Sequence, residues 1–170
     1  VADRMLECPH VYGFDSHDAF AIGDLEVLPF PVPHDAREPV QFVVSDGEHR
    51  LGVLTDIGVI TPCVQASLDH CDALVLECNH DREMLARSRY PAPLRARIAG
   101  PHGHLANDTA AEILAACVHS GLRHIVAAHL SRENNSPALA AAAMAAACGA
   151  SVHEIIVADP VLGVDWLDLG

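Results

Sequence analysis

The sequence contains no long hydrophobic run and no sign of a targeting segment. Its Ala-rich stretch, residues 138–148, is too short and too weakly hydrophobic to be a membrane helix, which needs roughly 20 apolar residues. The first residues, VADRMLECPHVYGF, have neither the basic start nor the continuous apolar stretch of a signal peptide. We therefore expect a soluble, cytoplasmic protein that has no membrane partner.

The six cysteines form no Cys-x-x-Cys pair, and the sequence gives no secretory context. We therefore interpret them as reduced thiols, most of which pack in the core of the protein. Cys78 stands between Glu77 and Asn79 at the end of an apolar run, where it could contribute to a functional site. Small buried cysteines are common at such positions, so a core residue is the simpler interpretation. The cysteine pattern fits a protein of a reducing compartment.

Positive charge is scarce, because 10 Lys and Arg residues face 23 Asp and Glu residues and the formal net charge is −13. Nucleic-acid binding normally requires a basic face that releases counterions from phosphates, and the composition as a whole does not provide one. One basic stretch, ARSRYPAPLRAR, contains Arg87, Arg89, Arg95 and Arg97 and could hold an anion or a backbone phosphate. A solvated loop with ordinary surface arginines is an equally good interpretation.

Length and composition predict one domain, residues 1–170, whose 51% hydrophobic content is ample for a buried core. No internal repeat or low-complexity linker divides it. A helix is expected to start at Pro62, with Thr61 as its N-cap, and Gly149 is expected to end the last helix. The helix that begins at Asn107 is expected to have an Asn or Asp as its cap. The periodicity predicts strands over residues 25–30, 40–45, 50–56, 72–78, 123–130, 151–159 and 164–169, and further helices over 79–88, 107–121 and 137–150. Strands first and βαβα units afterwards indicate an α/β domain whose helices cover sheet faces.

Four apolar runs end in residues that bind metals or transfer protons. They are LEVLPFPVPH, ending at His34; RLGVLTD, ending at Asp56; ALVLECNH, ending at Glu77 and His80; and RHIVAAH, ending at His129. Loops at the ends of buried strands can aim side chains into a common cleft held by a rigid sheet. The pattern predicts a functional site, most simply a metal site, although a single His or Asp can also merely cap a helix.

Five segments, in order, resemble the metallo-β-lactamase superfamily. They are PVPHDA, GVLTDIG, LVLECNHD, GHLAND and AAHLSRENN. The order of these segments is similar to that in one branch of the superfamily, which contains ribonuclease Z, related phosphodiesterases and DNA exonuclease-like proteins. The resemblance implies a four-layer αββα fold. The chain covers about the last two-thirds of that fold, so the fold is expected to be incomplete at its N-terminal side.

The resemblance also implies roles for individual residues. His34, Asp56 and His129 match metal ligands, with Asp56 as the carboxylate that bridges two divalent ions, zinc or manganese. Asp56, Glu77 and His104 match catalytic positions, where Glu77 and His104 move a proton toward the leaving group. The residues that match positions for substrate contact or for orienting the ligands are Asn79, His80, Ser131, Asn134 and Asn135.

The family's His-x-His-x-Asp-His segment has no match in this sequence. The nearest segment, His102-Gly-His104-Leu-Ala-Asn-Asp108, has Ala106 and Asn107 where an acid and a third histidine are required. The chain is therefore expected to be a fragment of a longer protein, a degenerate relative, or half of a site that another chain completes, and the fragment is favoured. We expect the chain alone to be inactive and to form oligomers through exposed apolar faces.

The resemblance implies a metal-dependent hydrolase of phosphodiester bonds, nuclease-like, with a water activated by two metal ions. Two alternatives stay open. One is a hydrolase of a small molecule on the same fold, acting on a cyclic phosphodiester, a lactone or a thioester, which the acidic charge favours. The other is a non-catalytic domain, degenerate or interacting with a partner, that keeps the motif residues as remnants.

Overall fold

The protein, described here from a computed structural model over residues 11–170, is built on one mixed seven-stranded sheet. The strands follow one another in chain order as β1 (Phe20–Ile22), β2 (Leu25–Pro31), β3 (Val40–Ser45), β4 (Arg50–Leu54), β5 (Ala73–Glu77), β6 (His124–Ala128) and β7 (Ile156–Val157). Strands β1 to β4 pair antiparallel, and β4 to β7 pair parallel. Parallel pairing places the carboxyl ends of β4, β5 and β6 at one edge of the sheet.

Local sequence signals set the helix ends. The helices are α1 (Pro62–Leu68), α2 (Arg82–Arg87), α3 (Ala92–Ile98), α4 (Asn107–Cys117) and α5 (Pro137–Cys148). Thr61 caps α1 by accepting a 3.2 Å hydrogen bond from the Val64 amide, and Ser136 caps α5 in the same way. Gly149, at φ 68°, ends α5 in the left-handed conformation that glycine adopts most easily. None of the helices in residues 11–170 is long and apolar enough to cross a bilayer.

Helices α1, α4 and α5 cover one face of the sheet. Their buried side chains, such as Val64 and Met144, share a core with Leu54, Leu74 and Leu76 of the central strands. Gly52, within β4, lies under this layer. A Cβ there would stand 2.8 Å from a Leu68 methyl group and 2.9 Å from a Leu74 methyl group, so a larger residue would push these two side-chain ends aside.

The other face of the sheet is apolar but only partly buried. Phe42 pairs with Val53, Val53 pairs with Val75, and all three side chains are half-exposed, whereas their neighbours Leu54 and Leu76 point into the core. The α/β class is thus confirmed. The described residues contain one of the two sheets expected in a four-layer arrangement.

Two of the strand predictions need correction, and one strand was missed. The strand expected over 151–159 is only Ile156–Val157, because Ser151 starts a 3-10 turn (Val152–Glu154) with a capping box. Residues 164–169 form no strand and are held by isolated contacts such as that between His124 Nε2 and the Asp168 carbonyl. Strand β1 was not predicted, since it has three residues and forms a hairpin with β2 through Gly23 and Asp24.

Two helix predictions also differ from the structure. The basic stretch, for which a solvated loop was one of two interpretations, contains α3, which Pro91 precedes as N-cap. Helix α4 has no side-chain cap, because Ala106 occupies the N-cap position and Asn107 turns its amide toward Asn135. Residues 1–10 of the predicted single domain lie outside the described residues.

Candidate metal centre

Five side chains from five different connections meet at the carboxyl edge of the parallel strands. Asp56 follows β4, Glu77 is the last residue of β5, and His129 directly follows β6. His34 comes from the loop after β2, and His104 comes from the loop before α4. The structure therefore brings together the strand-end residues that the sequence singles out, with the exception of His80.

The backbone is unusual at two of these positions. Asp56 has φ 53° and His129 has φ 56°, in the left-handed region that residues other than glycine seldom adopt. Such a conformation costs about 1–3 kcal/mol and persists where the surrounding structure enforces it, often at functional sites. Both residues turn the chain sharply as it leaves a parallel strand.

Glu77 lies at the centre of the cluster, and its carboxylate is fully buried. Its Oε1 accepts hydrogen bonds from Nδ1 of His104 and Nδ1 of His129, each at 2.7 Å. Its Oε2 accepts from the amides of Ile57 at 3.1 Å and Leu105 at 3.3 Å. Four donors thus surround one carboxylate, which ties together the ends of three connections.

The electrostatics of the cluster favour an ionised Glu77. Burial raises the pKa of Glu77, but the hydrogen bonds from His104, His129 and the Ile57 amide outweigh burial, so its pKa lies below the ordinary value. The hydrogen bond between His129 and Glu77 raises the pKa of His129, whereas burial acts in the opposite direction. The carboxylate therefore stays charged and keeps accepting from both rings.

The hydrogen bonds also determine which nitrogen of each ring is free. A carboxylate only accepts, so Nδ1 of His104 and Nδ1 of His129 both carry a hydrogen and Nε2 is left for another partner. His34 follows the same rule, because its Nδ1 donates to the Gly103 carbonyl at 3.0 Å. Its Nε2 stands 3.6 Å from Oδ1 of Asp56. Three imidazoles are oriented as metal-binding histidines usually are, with one nitrogen anchored in the protein.

The donor set fits a divalent cation. Ligand atoms of Asp56, Glu77, His104 and His129 all lie within 4.8 Å of one another, and His34 adjoins them through Asp56. Imidazole nitrogen and carboxylate oxygen suit zinc and manganese. Nδ1 of His104 and Nδ1 of His129, which bond Glu77, also lie 3.7 Å and 3.8 Å from Oδ1 of Asp56. By number and type, these donors fit one divalent ion. A second ion needs donors beyond those found in residues 11–170.

Two glycines allow the surrounding loops to pack backbone against backbone. A Cβ on Gly103 would lie 2.2 Å from the carbonyl oxygens of both Arg97 and Ile98. A Cβ on Gly58 would lie 2.4 Å from the Pro101 carbonyl group. The loop that carries His104 is therefore fixed against both α3 and the turn after Asp56, also by a 2.8 Å bond from the His104 amide to the Ile98 carbonyl.

Asn79 and Ser131 line the cleft beside the cluster, a cavity of about 450 Å³ that His104 and His129 also line. Asn79 Nδ2 donates to the His129 carbonyl at 3.0 Å, and the Ser131 amide donates to the Asn79 carbonyl at 2.8 Å. Asn79 thus ties the end of β5 to the loop after β6. These contacts place both residues at the rim of the cleft.

The remaining residues predicted for substrate contact or ligand orientation are not part of the donor group of Asp56, Glu77, His104 and His129. His80 is buried, with no hydrogen bond from either ring nitrogen to any described residue, and burial lowers its pKa. Asn134 donates to Ser131 Oγ, and Asn135 donates to the Cys78 carbonyl at 2.6 Å. Both asparagines are buried and hold the loop after β6 in place. Cys78 itself belongs to the core, where burial raises the pKa of its thiol to about 12.

The site includes an ion pair that the sequence did not predict. Asp35, next to His34, accepts from Arg97 Nε at 2.6 Å, and both side chains line the cleft. The Arg97 hydrogen bond lowers the pKa of Asp35. The signal was present in two separate motifs, PVPHDA and the basic stretch, but nothing in the sequence showed that they meet. The arginine predicted to hold an anion is thus paired with a carboxylate.

Comparison with known proteins identifies the family of the chain. The family model of the β-lactamase superfamily domain matches residues 4–154. The chain therefore belongs to this family, which confirms the resemblance seen in its motifs. It is 37% identical over 127 residues to a protein named exodeoxyribonuclease YycJ from Bacillus anthracis, a match that covers 75% of this chain and 48% of the relative. The chain spans about half the length of the curated relatives it matches.

Two solved structures share the fold. One is the metallo-β-lactamase fold protein YhfI from Bacillus subtilis, with a TM-score of 0.65 and 15% identity, covering 90% of this chain and 54% of that protein. The other is zinc-bound PqqB from Methylobacterium extorquens, with a TM-score of 0.60 and 21% identity, covering 90% and 55%. Identities this low establish the fold and leave the substrate open.

Proposed function

We propose that this chain carries part of the active site of a metal-dependent phosphodiesterase that acts as an exonuclease on nucleic acid. The observation that carries the proposal is the pair of 2.7 Å hydrogen bonds from His104 and His129 to the buried carboxylate of Glu77. This arrangement directs two imidazoles into a cleft beside Asp56. The similarity to a protein named exodeoxyribonuclease supports a nucleic-acid substrate.

The roles proposed for the residues rest on the resemblance and on their contacts. Asp56, His34 and His129 would hold the metal, with Asp56 in the bridging role that the resemblance implies. His104 lines the cleft and donates its Nδ1 hydrogen to Glu77, which leaves Nε2 as the nitrogen that would donate to the leaving oxygen of a phosphodiester. Glu77 compensates the charge of that ring. Asn79 and Ser131 contact the substrate at the rim.

Divalent ions bound here, zinc or manganese, supply Lewis acidity and a water activated for attack at neutral pH. The described residues offer donors for one such ion, so we propose that two ions are held only when further ligands complete the site. The 170-residue chain alone is then inactive, and the polypeptide encoded by the complete gene is the form to assay.

A hydrolase of small substrates is the second candidate, and the net charge of −13 favours it. A strongly acidic protein repels a polyanion at long range, whereas a cyclic phosphodiester, lactone or thioester experiences less repulsion. The same metal cluster serves either substrate. The two candidates differ in whether a DNA strand is degraded.

The test is the Asp56→Asn variant of the polypeptide encoded by the complete gene. Asparagine tolerates the left-handed backbone at this position, so the fold stays intact while the anionic ligand is lost. We expect metal content, measured by elemental analysis after dialysis, to fall from about two ions, the number in a two-metal site. Hydrolysis of end-labelled single-stranded DNA should fall to the uncatalysed rate.

Asp69→Asn is the matched control, because Asp69 is exposed and lies outside the cluster. It should retain metal and activity. Full activity of Asp56→Asn would contradict the bridging role. A wild-type protein that hydrolyses a small phosphodiester or thioester but leaves DNA intact would favour the second candidate.

A further inference from the structure

Tyr90 stands at the boundary between the metal cleft and a second, adjoining cleft. Its half-buried side chain lines the cavity of about 450 Å³ that contains His104 and His129. It also lines a neighbouring cavity of about 660 Å³, whose walls include Arg87 and Arg89. A polymer bound across both clefts would therefore contact Tyr90.

Aromatic side chains are rare in this protein, at 4% of the residues, and the others serve elsewhere. Phe14 stacks on Phe20 and meets the edge of Phe42, and Phe30 is part of the core. Trp166 is fully exposed in the C-terminal segment. Among residues 11–170, Tyr90 is the one Phe, Tyr or Trp that lines the metal cleft.

The connection that carries Tyr90 is fixed at both ends. Ser88 ends α2, and its Oγ accepts from the Tyr90 amide at 3.3 Å. Pro91 then fixes the backbone at the start of α3. Arg95 ties the two helices together by donating to the carbonyls of Ala86 at 2.9 Å and Ser88 at 3.3 Å. The ring is thus held in position before a ligand arrives, which lowers the entropic cost of binding.

The second cleft beside Tyr90 is lined by charges of both signs, Arg87 and Arg89 together with Asp81, Glu83 and Glu133. Five of the ten basic side chains fall within residues 82–97. Arg89 lines the second cleft and forms no ion pair with any described residue, whereas Arg87 pairs with Glu83 on an exposed surface. An unpaired guanidinium next to an aromatic ring suits a ligand that has both phosphates and flat bases.

We propose that Tyr90 is a stacking platform for a nucleobase next to the scissile phosphodiester, so that the substrate is an unpaired strand of nucleic acid. Stacking on Tyr90 requires an unpaired base, because bases in a duplex are already stacked on their neighbours. Arg89 then contacts the phosphates of the nucleotides in the second cleft. The inference rests on the proposed phosphodiesterase function and specifies its substrate.

The experiment compares Tyr90→Ala, Tyr90→Phe and wild type in the polypeptide encoded by the complete gene. Two short fluorescent single strands of equal length are used, one of ordinary DNA and one with abasic sites throughout, and affinity is measured by fluorescence anisotropy. Loss of one stacked base should weaken binding of ordinary DNA by about 5- to 150-fold in Tyr90→Ala. Tyr90→Phe should bind like wild type, and neither substitution should change affinity for the abasic strand.

Trp166→Ala is the control for loss of an aromatic side chain outside the clefts, and it should leave both affinities unchanged. Tyr90→Ala that binds both strands like wild type, or weakens both equally, overturns the stacking role. Hydrolysis of DNA by the same wild-type preparation then leaves the phosphodiesterase function standing. A wild type that neither binds nor hydrolyses either strand overturns both proposals.

Discussion

The carboxylate of Glu77 illustrates how the site is organised at the level of single residues. Both of its oxygens accept two hydrogen bonds, and all four donors belong to connections at the metal edge of the sheet. The motif resemblance implied that Glu77 moves a proton with His104. The geometry adds a second task, since one carboxylate also fixes the ring of His129.

The first prediction concerns Glu77→Gln. Glutamine keeps the size of the side chain but has a single acceptor oxygen, so the two imidazoles lose their common anchor. Loss of such a partner costs about 10- to 100-fold in metal affinity. Titration with zinc against a chromophoric chelator measures the change, and Glu83→Gln, on the exposed face of α2, is the control. Equal zinc affinity for Glu77→Gln and wild type would show that Glu77 does not orient the ligands.

The sequence predicted which residues come together better than it predicted the role of each one. His34, Asp56, Glu77 and His129 could be predicted because each ends an apolar run, and strand ends converge when strands are parallel. His80 fits the same pattern but is buried away from the cluster. Whether a residue two or three positions past a strand faces the cleft depends on the path of the loop, which periodicity does not encode.

At the level of elements, the loop of residues 100–104 holds His104 against the end of α3. Gly103 permits this, because any larger residue would place a Cβ against two carbonyl oxygens. Backbone oxygens cannot rotate away as the end of a side chain can. The position of the imidazole thus depends on a residue that has no side chain.

We predict that Gly103→Ala destabilises the fold by about 1–3 kcal/mol, the usual cost of overpacking, and also weakens zinc binding. The clash displaces both the His104 amide and the Gly103 carbonyl that anchors His34. Urea denaturation and the zinc titration measure the two effects. Gly13→Ala, where a Cβ meets nothing within 4 Å, is the control and should change neither. Unchanged values for Gly103→Ala would refute the close packing.

The turn between β3 and β4 predicts a pH dependence. Asp46 accepts from the amides of His49 at 2.7 Å and Glu48 at 2.9 Å, and these hydrogen bonds lower its pKa from 3.8 to about 2. A lowered pKa means that Asp46 contributes stability above its unfolded pKa and loses it as the pH falls from about 3.8 to about 2. Asp46→Asn should therefore lose less stability than wild type over this interval. Parallel acid dependence of the two free energies of unfolding would contradict the assignment.

Elements were predictable where local signals and long-range pairing agree. The central strands have continuous apolar runs, and Thr61 and Ser136 are N-caps that mark the starts of α1 and α5. Residues 164–169 alternate like a strand but no strand of the described chain pairs with them, so pattern alone was misleading. The prediction of a capping side chain for α4 was wrong for a similar reason, because the Asn107 side-chain amide pairs with Asn135, 28 positions away.

At the level of the whole molecule, the sheet has one face covered by helices and one apolar face that is half-exposed. Phe42, Val53 and Val75 form a row across three strands of the second face. Apolar surface in a contiguous row tends to be covered by other protein. The expectation that the chain forms oligomers rests on this face and remains a prediction.

The 170-residue chain should therefore self-associate, and Val53→Glu should shift it toward the monomer. The charge would stand in the middle of the apolar row and oppose its burial. Sedimentation velocity over a range of concentrations measures the association. Val161→Glu, an equally charged change at an exposed site outside the sheet, should leave association as in wild type. A chain that stays monomeric at all concentrations would contradict the prediction.

The site's dispersal along the chain has a consequence for the order of folding. Its donors range from His34 to His129, and each enters from a different connection. Contacts between distant parts of a chain form slowly, because loop closure precedes them. A nascent or partly folded chain thus has scattered histidines but no chelating pocket. Tight metal binding is therefore expected late in folding, only in chains whose central strands have already paired correctly.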